Sequence, residues 1–122
     1  MINSLARHFR HAVSACKWSC AGLLHTVKTE TAFLQETIAL VALPGIAWLL
    51  GVSLGHILLI IAAWLVVMLT ELLNSALESI CDLVSPEFNI LIKRAKDAGS
   101  AAVLLALAAN FCFWLYLLII YI

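Results

Sequence analysis

The chain has 122 residues, 65% of them hydrophobic and only 11% charged, with a mean hydropathy of +1.10 and a formal net charge of +0. Soluble domains carry roughly 25% charged residues, so the composition excludes an ordinary soluble domain and describes an integral membrane protein. The balanced charge gives no reason to expect a nucleic-acid partner.

Residues 37–70 and 98–122 contain no Asp, Glu, Lys or Arg. A helical span needs about 20 residues to cross a hydrocarbon core about 30 Å thick. The first run therefore holds two short spans and the second holds one. All seven basic residues, Arg7, Arg10, Lys17, Lys28, Lys93, Arg94 and Lys96, lie outside these runs. By the positive-inside rule the N-terminal segment and residues 79–97 are cytoplasmic, and the 51–57 turn and the C-terminus are outside. Three spans satisfy that arrangement. The strongly apolar sequence begins after Glu36, so no cleaved signal peptide is expected.

Asn3 or Ser4 is expected to cap a first helix over residues 5–20. Leu5, Phe9, Ala12, Val13, Cys16 and Cys20 share one face, with Arg7, Arg10, Ser14 and Lys17 opposite, the pattern of a helix lying in the membrane interface. Gly22 is expected to break or bend it. A second amphipathic helix over 23–36 then feeds the first span, giving surface helices over 4–36. Cys16 and Cys20 have no second Cys or His pair at zinc spacing, and all four cysteines are expected as free thiols.

Span one covers about 37–50, with Pro44-Gly45 predicted to kink it and Trp48 anchoring its outer end. Gly51-Val52-Ser53-Leu54-Gly55 supplies the turn, and His56 is an interfacial polar group opening span two, about 54–73. The helix continues past the membrane until Ser85-Pro86 stops it, and Glu87-Phe88-Asn89 forms a short loop. Span three, about 98–120, follows the charged run Lys93-Arg94-Ala95-Lys96-Asp97. Small residues from Ala98 to Ala102 permit close helix packing, Asn110 is a mid-span polar group, and Trp114, Tyr116 and Tyr121 mark the outer end.

The end of span two carries the chemistry. At about 100° per residue, Glu71, Asn74, Ser75, Glu78 and Asp82 form one polar stripe about 100° wide, with Leu72, Leu73, Ala76, Leu77 and Ile80 on the opposite face. Carboxylates on a helix leaving hydrocarbon are costly unless they meet a partner, a metal or water. Glu30, Glu71 and Glu78 can meet at the inner interface beside Lys96 and Asp97, supplying oxygen ligands for a hard cation and an ammonium for phosphate. Glu71 and Glu78 are separated by about 10 Å along the axis at 1.5 Å per residue, which divides their labour. Glu71 lies nearer hydrocarbon, where poor solvation suits a proton acceptor, and Glu78 suits a metal ligand. No GxxxxGK[ST] or GxGxxG loop is present. A proton-coupled transporter also places carboxylates in spans, although near the midplane rather than at one face.

Glu71-Leu72-Leu73-Asn74-Ser75-Ala76-Leu77-Glu78 resembles the E-[IL]-[LI]-N-[ST]-A-[IL]-E signature of the prokaryotic diacylglycerol kinases and their undecaprenol kinase relatives. Residues 94–104 are similar to the second signature of that family, and Glu30-Thr31-Ala32-Phe33-Leu34-Gln35-Glu36 to its surface-helix segment. The resemblance covers essentially the whole chain. It implies an all-α membrane protein, a homotrimer of three-span subunits with N-terminal surface helices, forming a single domain over 1–122. Such an enzyme uses ATP and Mg2+ to phosphorylate diacylglycerol in the bilayer.

Carried over by position, the resemblance implies that Glu71 is the catalytic base and that Glu30 and Glu78 are the metal ligands. Glu30, Asn74, Glu78, Lys96 and Asp97 would contact nucleotide, with Glu87, Phe88 and Asn89 near adenosine. Ala32, Phe33, Leu34, Gln35, Glu36, Glu71 and Ser100 would lie at the lipid substrate. His11 stands where the family carries arginine and Trp18 where it carries tyrosine, and both are expected at the nucleotide. Leu34 replaces a common arginine, and Pro86 and Lys93 depart from the usual loop. The competing readings are an undecaprenol kinase with the same chemistry and a non-enzymatic membrane protein such as a transporter subunit.

Overall fold

A computed structural model describes residues 2–84, 87 and 89–121, with side chains from Arg7 onward. The described residues form α1 (Ile2–Thr29), α2 (Thr31–Leu49), α3 (Leu54–Val84) and α4 (Ile90–Tyr121). The last three are each long and apolar enough to cross a membrane. At about 1.5 Å per residue α3 and α4 are about 46 and 48 Å long, well beyond a 30 Å hydrocarbon core. Both therefore carry helical structure, and the charged residues on it, past the bilayer boundary.

Two expectations about the N-terminal region are corrected. Helix α1 begins at Ile2, so Asn3 and Ser4 lie inside it rather than capping it, and it runs unbroken through Gly22. A single glycine costs a helix only about 1 kcal/mol, and the space around Gly22 is open, so no neighbour forces a bend there. Thr26 Oγ1 donates to the Gly22 carbonyl at 3.0 Å, keeping that turn satisfied. The chain bends instead at Glu30, whose backbone is extended (φ −107°, ψ 112°) between α1 and α2. One carboxylate of the proposed site thus stands at the corner where the surface helix meets the first span.

Pro44 lies inside α2 without ending it. The helix closes in a Schellman turn: Gly51 N–H donates to the Trp48 carbonyl at 3.1 Å and Val52 N–H to Ala47 at 3.0 Å. Gly51 has φ 77°, the left-handed conformation that this closure requires. The outer ends are then tied together. Tyr121 OH accepts from Ser53 N–H at 3.0 Å and lies 2.8 Å from His56 Nδ1, which is also 2.9 Å from Ser53 Oγ. His56 is therefore a structural pin between the α2–α3 turn and the end of α4.

Helix α3 packs against both α2 and α4, and α1 packs against α2. Ala47, Ile57, Ile60 and Leu117 form the buried cluster at the outer end, with Leu43, Val52, Ile61, Phe113 and Trp114 against it. Large apolar side chains such as Val41, Leu69, Leu104 and Ile119 face outward, as expected where the solvent is lipid. The four cysteines are free thiols.

Helix α3 ends at Val84, directly before Ser85-Pro86, which lie outside the described residues. Helix α4 starts at Ile90 rather than at the charged run because Asn89 caps it: its Oδ1 accepts from Leu91 N–H at 2.9 Å.

Candidate active site

Depth along the helices sorts the carboxylates. Counting from Leu54 at the outer end of α3, Glu71 lies about 26 Å and Glu78 about 36 Å down the axis, at 1.5 Å per residue. A 30 Å core therefore ends between them. Glu71 is half-buried and Glu78 exposed, and with Leu54 set at the outer boundary Glu71 falls near the inner edge of a core about 30 Å thick and Glu78 beyond it. Glu71 feels the negative charges of Glu78 and Glu30, and Glu36 feels that of Glu71, which places four carboxylates in one electrostatic neighbourhood.

Asn74 connects the levels of the stripe. Its Nδ2 donates to Glu78 Oε1 at 2.9 Å, while its Oδ1 is buried between α3 and α4 with no hydrogen-bond partner in the structure. Glu36 is 8% exposed despite its charge, and its Oε2 is likewise buried and unpartnered. Its backbone carbonyl accepts from Trp64 Nε1 at 2.7 Å, which fixes this turn of α2 against α3. Because Glu36 lies only 13 residues from Leu49, it stands about 20 Å from the outer end of α2, inside the hydrocarbon zone. Burial against α3 shields the carboxylate from lipid, as its cost there demands.

The lipid-contact segment divides by side-chain direction. Ala32, Leu34 and Gln35 are exposed, whereas Phe33, 1% exposed, and Glu36 point into the subunit. Phe33 is thus part of the packing that holds α2 in place. Ser100 is exposed on α4.

The cation expected near phosphate is engaged, and so is its neighbour in the charged run. Lys96 Nζ donates to Asp82 Oδ1, bridging α3 and α4, and Lys93 pairs with Asp97 four residues on along α4. Asp82, the last carboxylate of the stripe, is therefore the partner of Lys96. His11 and Trp18 are exposed on α1, about 28 and 18 Å of helix before Glu30. Glu87 is exposed, Asn89 is occupied as the cap of α4, and Phe88 lies outside the described residues.

The structure adds a feature that the wheel alone does not show. A groove of about 570 Å³ opens between α1 and α3, lined by Ser19, His25, Thr26, Thr29 and Glu30 on one side and Leu72, Ser75, Ala76 and Ser79 on the other. It flanks the carboxylate stripe, shares Ser75 with it, and brings Glu30 to its edge. The hydroxyls of Thr29 and Ser79 are satisfied by the carbonyls of His25 and Ser75, four residues back, and Leu23, Leu72 and Ala76 make the lining more apolar than polar, with Glu30 its one carboxylate. The signal for it in the sequence was the Ser75/Ser79 pair at helical spacing beside the stripe. Gly99, whose close approach to Asn74 is described below, carried the signal of a glycine inside an otherwise good helix.

Among the described residues no three His, Cys, Asp or Glu side chains converge on a metal position. The donor set still suits magnesium in company with a nucleotide, because Mg2+ takes oxygen ligands, keeps several waters and needs only one or two carboxylates when phosphates supply the rest. The mutual repulsion among Glu30, Glu71 and Glu78 is the kind of charge excess that a divalent cation relieves.

A family model described as prokaryotic diacylglycerol kinase matches residues 17–118. The chain is 41% identical over 110 residues to a diacylglycerol kinase of Pseudomonas aeruginosa, covering 90% of this chain and 89% of that protein. It is 39% identical over 104 residues to a diacylglycerol kinase of Haemophilus influenzae, covering 85% and 88%. A diacylglycerol kinase of Escherichia coli is 38% identical over 110 residues, 90% of each chain.

Proposed function

The chain belongs to the prokaryotic diacylglycerol kinase family, and from that premise we propose that it transfers the γ-phosphoryl group of ATP to the primary hydroxyl of diacylglycerol at the cytoplasmic face of the membrane, giving phosphatidic acid. The observation that carries the reading is the division of the α3 stripe by depth, with Glu71 at the hydrocarbon boundary and Glu78 about 10 Å further out in water. That is the arrangement required when one substrate is dissolved in the bilayer and the other in the cytoplasm.

In this mechanism Glu71 accepts the proton of the lipid hydroxyl as its oxygen attacks the γ-phosphorus, and the bond to the β,γ-bridging oxygen breaks, releasing ADP. Glu30 and Glu78 would hold the magnesium that accompanies ATP, which when bound offsets phosphate charge and orients the transferring group. Asn74 holds Glu78 in place through its amide. Lys96 supplies a positive charge to the phosphates by exchanging Asp82 for them, and Asp97, Glu87 and Asn89 line the nucleotide side. Ala32, Leu34, Gln35 and Ser100 face the lipid, and the groove beside Glu30, apolar with a few hydroxyls, suits a neutral glycerol headgroup with acyl chains attached.

The working unit in this reading is a homotrimer. Its support is the family resemblance, which implies a homotrimer, and the exposure of His11 and Trp18 on α1, where a neighbouring subunit would meet them. The distribution of Lys and Arg supports a cytoplasmic N-terminus and an outward C-terminus in the inner membrane. Incubation of purified protein with radiolabelled ATP in mixed micelles containing diacylglycerol or undecaprenol tests the reading. Label in phosphatidic acid is the expected result; label only in the polyprenol assigns the undecaprenol kinase activity, and no labelled lipid overturns the kinase reading.

A further inference from the structure

Asn74 is held on both sides, and one side is an absence. A Cβ built on Gly99 would lie 2.3 Å from Asn74 Oδ1, 3.4 Å from its Cγ and 3.0 Å from Leu77 Cδ2. Gly22, Gly45, Gly51 and Gly55 meet nothing within 4 Å. Glycine inside a helix costs about 1 kcal/mol relative to alanine, so its presence in α4 calls for a close approach, and this is the one glycine that has it. The Asn74 amide cannot simply swing aside, because its Nδ2 is bonded to Glu78 at 2.9 Å and its Oδ1 is buried in the place a methyl group would take.

We infer that Gly99 is a positioning residue for the nucleotide end of the site, because its missing side chain lets the Asn74 carboxamide lie between α3 and α4 and hold Glu78 through Nδ2. The inference rests on the reading of Glu78 as the metal and nucleotide ligand. A methyl at position 99 pushes the amide toward the cleft of about 130 Å³ lined by Thr70, Leu73, Leu77 and Ala102. That space lets the helices stay packed while the bond to Glu78 is lost. The lipid side has no such dependence, since Glu71 makes no hydrogen bond to Asn74 among those the structure shows for the described residues.

The test is steady-state kinetics of Gly99→Ala, Asn74→Ala and the double variant, varying MgATP and diacylglycerol separately. Loss of a hydrogen bond worth about 1 kcal/mol corresponds to about a fivefold change. Gly99→Ala is expected to raise KM for MgATP about fivefold and leave KM for diacylglycerol unchanged. In the Asn74→Ala background the same substitution should add nothing, because the group it displaces is gone. Equal multiplicative effects in both backgrounds, or a rise confined to the lipid KM, overturn the inference. Leu77→Ala separates the other contact: if it restores Gly99→Ala, the effect runs through Leu77 and the inference fails. Should Gly99→Ala not fold, recovery of folding in the double variant supports the clash with Asn74, and continued misfolding overturns it. Glu78→Gln serves as the independent arm, since an unchanged MgATP dependence there removes the reading of Glu78 itself.

Discussion

Replacing Glu36 by leucine should stabilise the protein. The carboxylate is 8% exposed, stands about 20 Å from the outer end of α2, and has one oxygen buried with no hydrogen-bond partner. A buried unsatisfied polar group costs about 1–3 kcal/mol, and leucine fills a similar volume with apolar atoms against α3. Glu36→Leu is therefore expected to gain about 1–3 kcal/mol, whereas Glu36→Gln, which keeps a polar group in the same place, should stay within about 1 kcal/mol of the parent. The Trp64 bond is to the backbone carbonyl and survives either change. Reversible unfolding of micelle-reconstituted protein in increasing SDS, followed by tryptophan fluorescence, measures both differences. Destabilisation of Glu36→Leu by more than about 1 kcal/mol would refute the reasoning, because it would mean that the carboxylate has a partner in the assembled protein.

Other consequences can be measured alongside. Glu71→Gln should lower kcat by about 10²–10⁴ while far-UV circular dichroism and assembly stay unchanged, and near-normal turnover would remove Glu71 as the base. Glu78→Gln should shift the magnesium titration of activity to higher concentration, with an unchanged midpoint counting against its role. Asp82→Asn removes the exposed partner of Lys96, a pair screened by solvent, so unfolding should barely move. The freed Lys96 should lower KM for ATP; a rise would show that Asp82 holds the ammonium where it is needed. Trp64→Phe deletes the 2.7 Å bond to the Glu36 carbonyl and should cost about 0.5–1.5 kcal/mol in the same SDS titration.

What could be read in the chain by itself was whatever depends on local period and composition. The charge-free runs at 37–70 and 98–122 required three spans, because hydrocarbon tolerates only helices with every backbone bond internal. The stripe from Glu71 to Asp82 followed from 3.6 residues per turn, and with it the separation of Glu71 from Glu78. The family motifs lie on those same local stretches, and the match over residues 17–118 agrees with them. What the tertiary structure decided was which residues on different helices face one another. The bend falls at Glu30 rather than Gly22 because α1 and α2 pack as separate rods and a lone glycine in open space has nothing to break it. Asp82 became the partner of Lys96, and Phe33 and Glu36 turned inward, only once α3 lay against α4 and α2 in register. Gly99 meets Asn74 for the same reason: two residues 25 positions apart are brought together by antiparallel helix packing, and no periodicity within either helix encodes that contact.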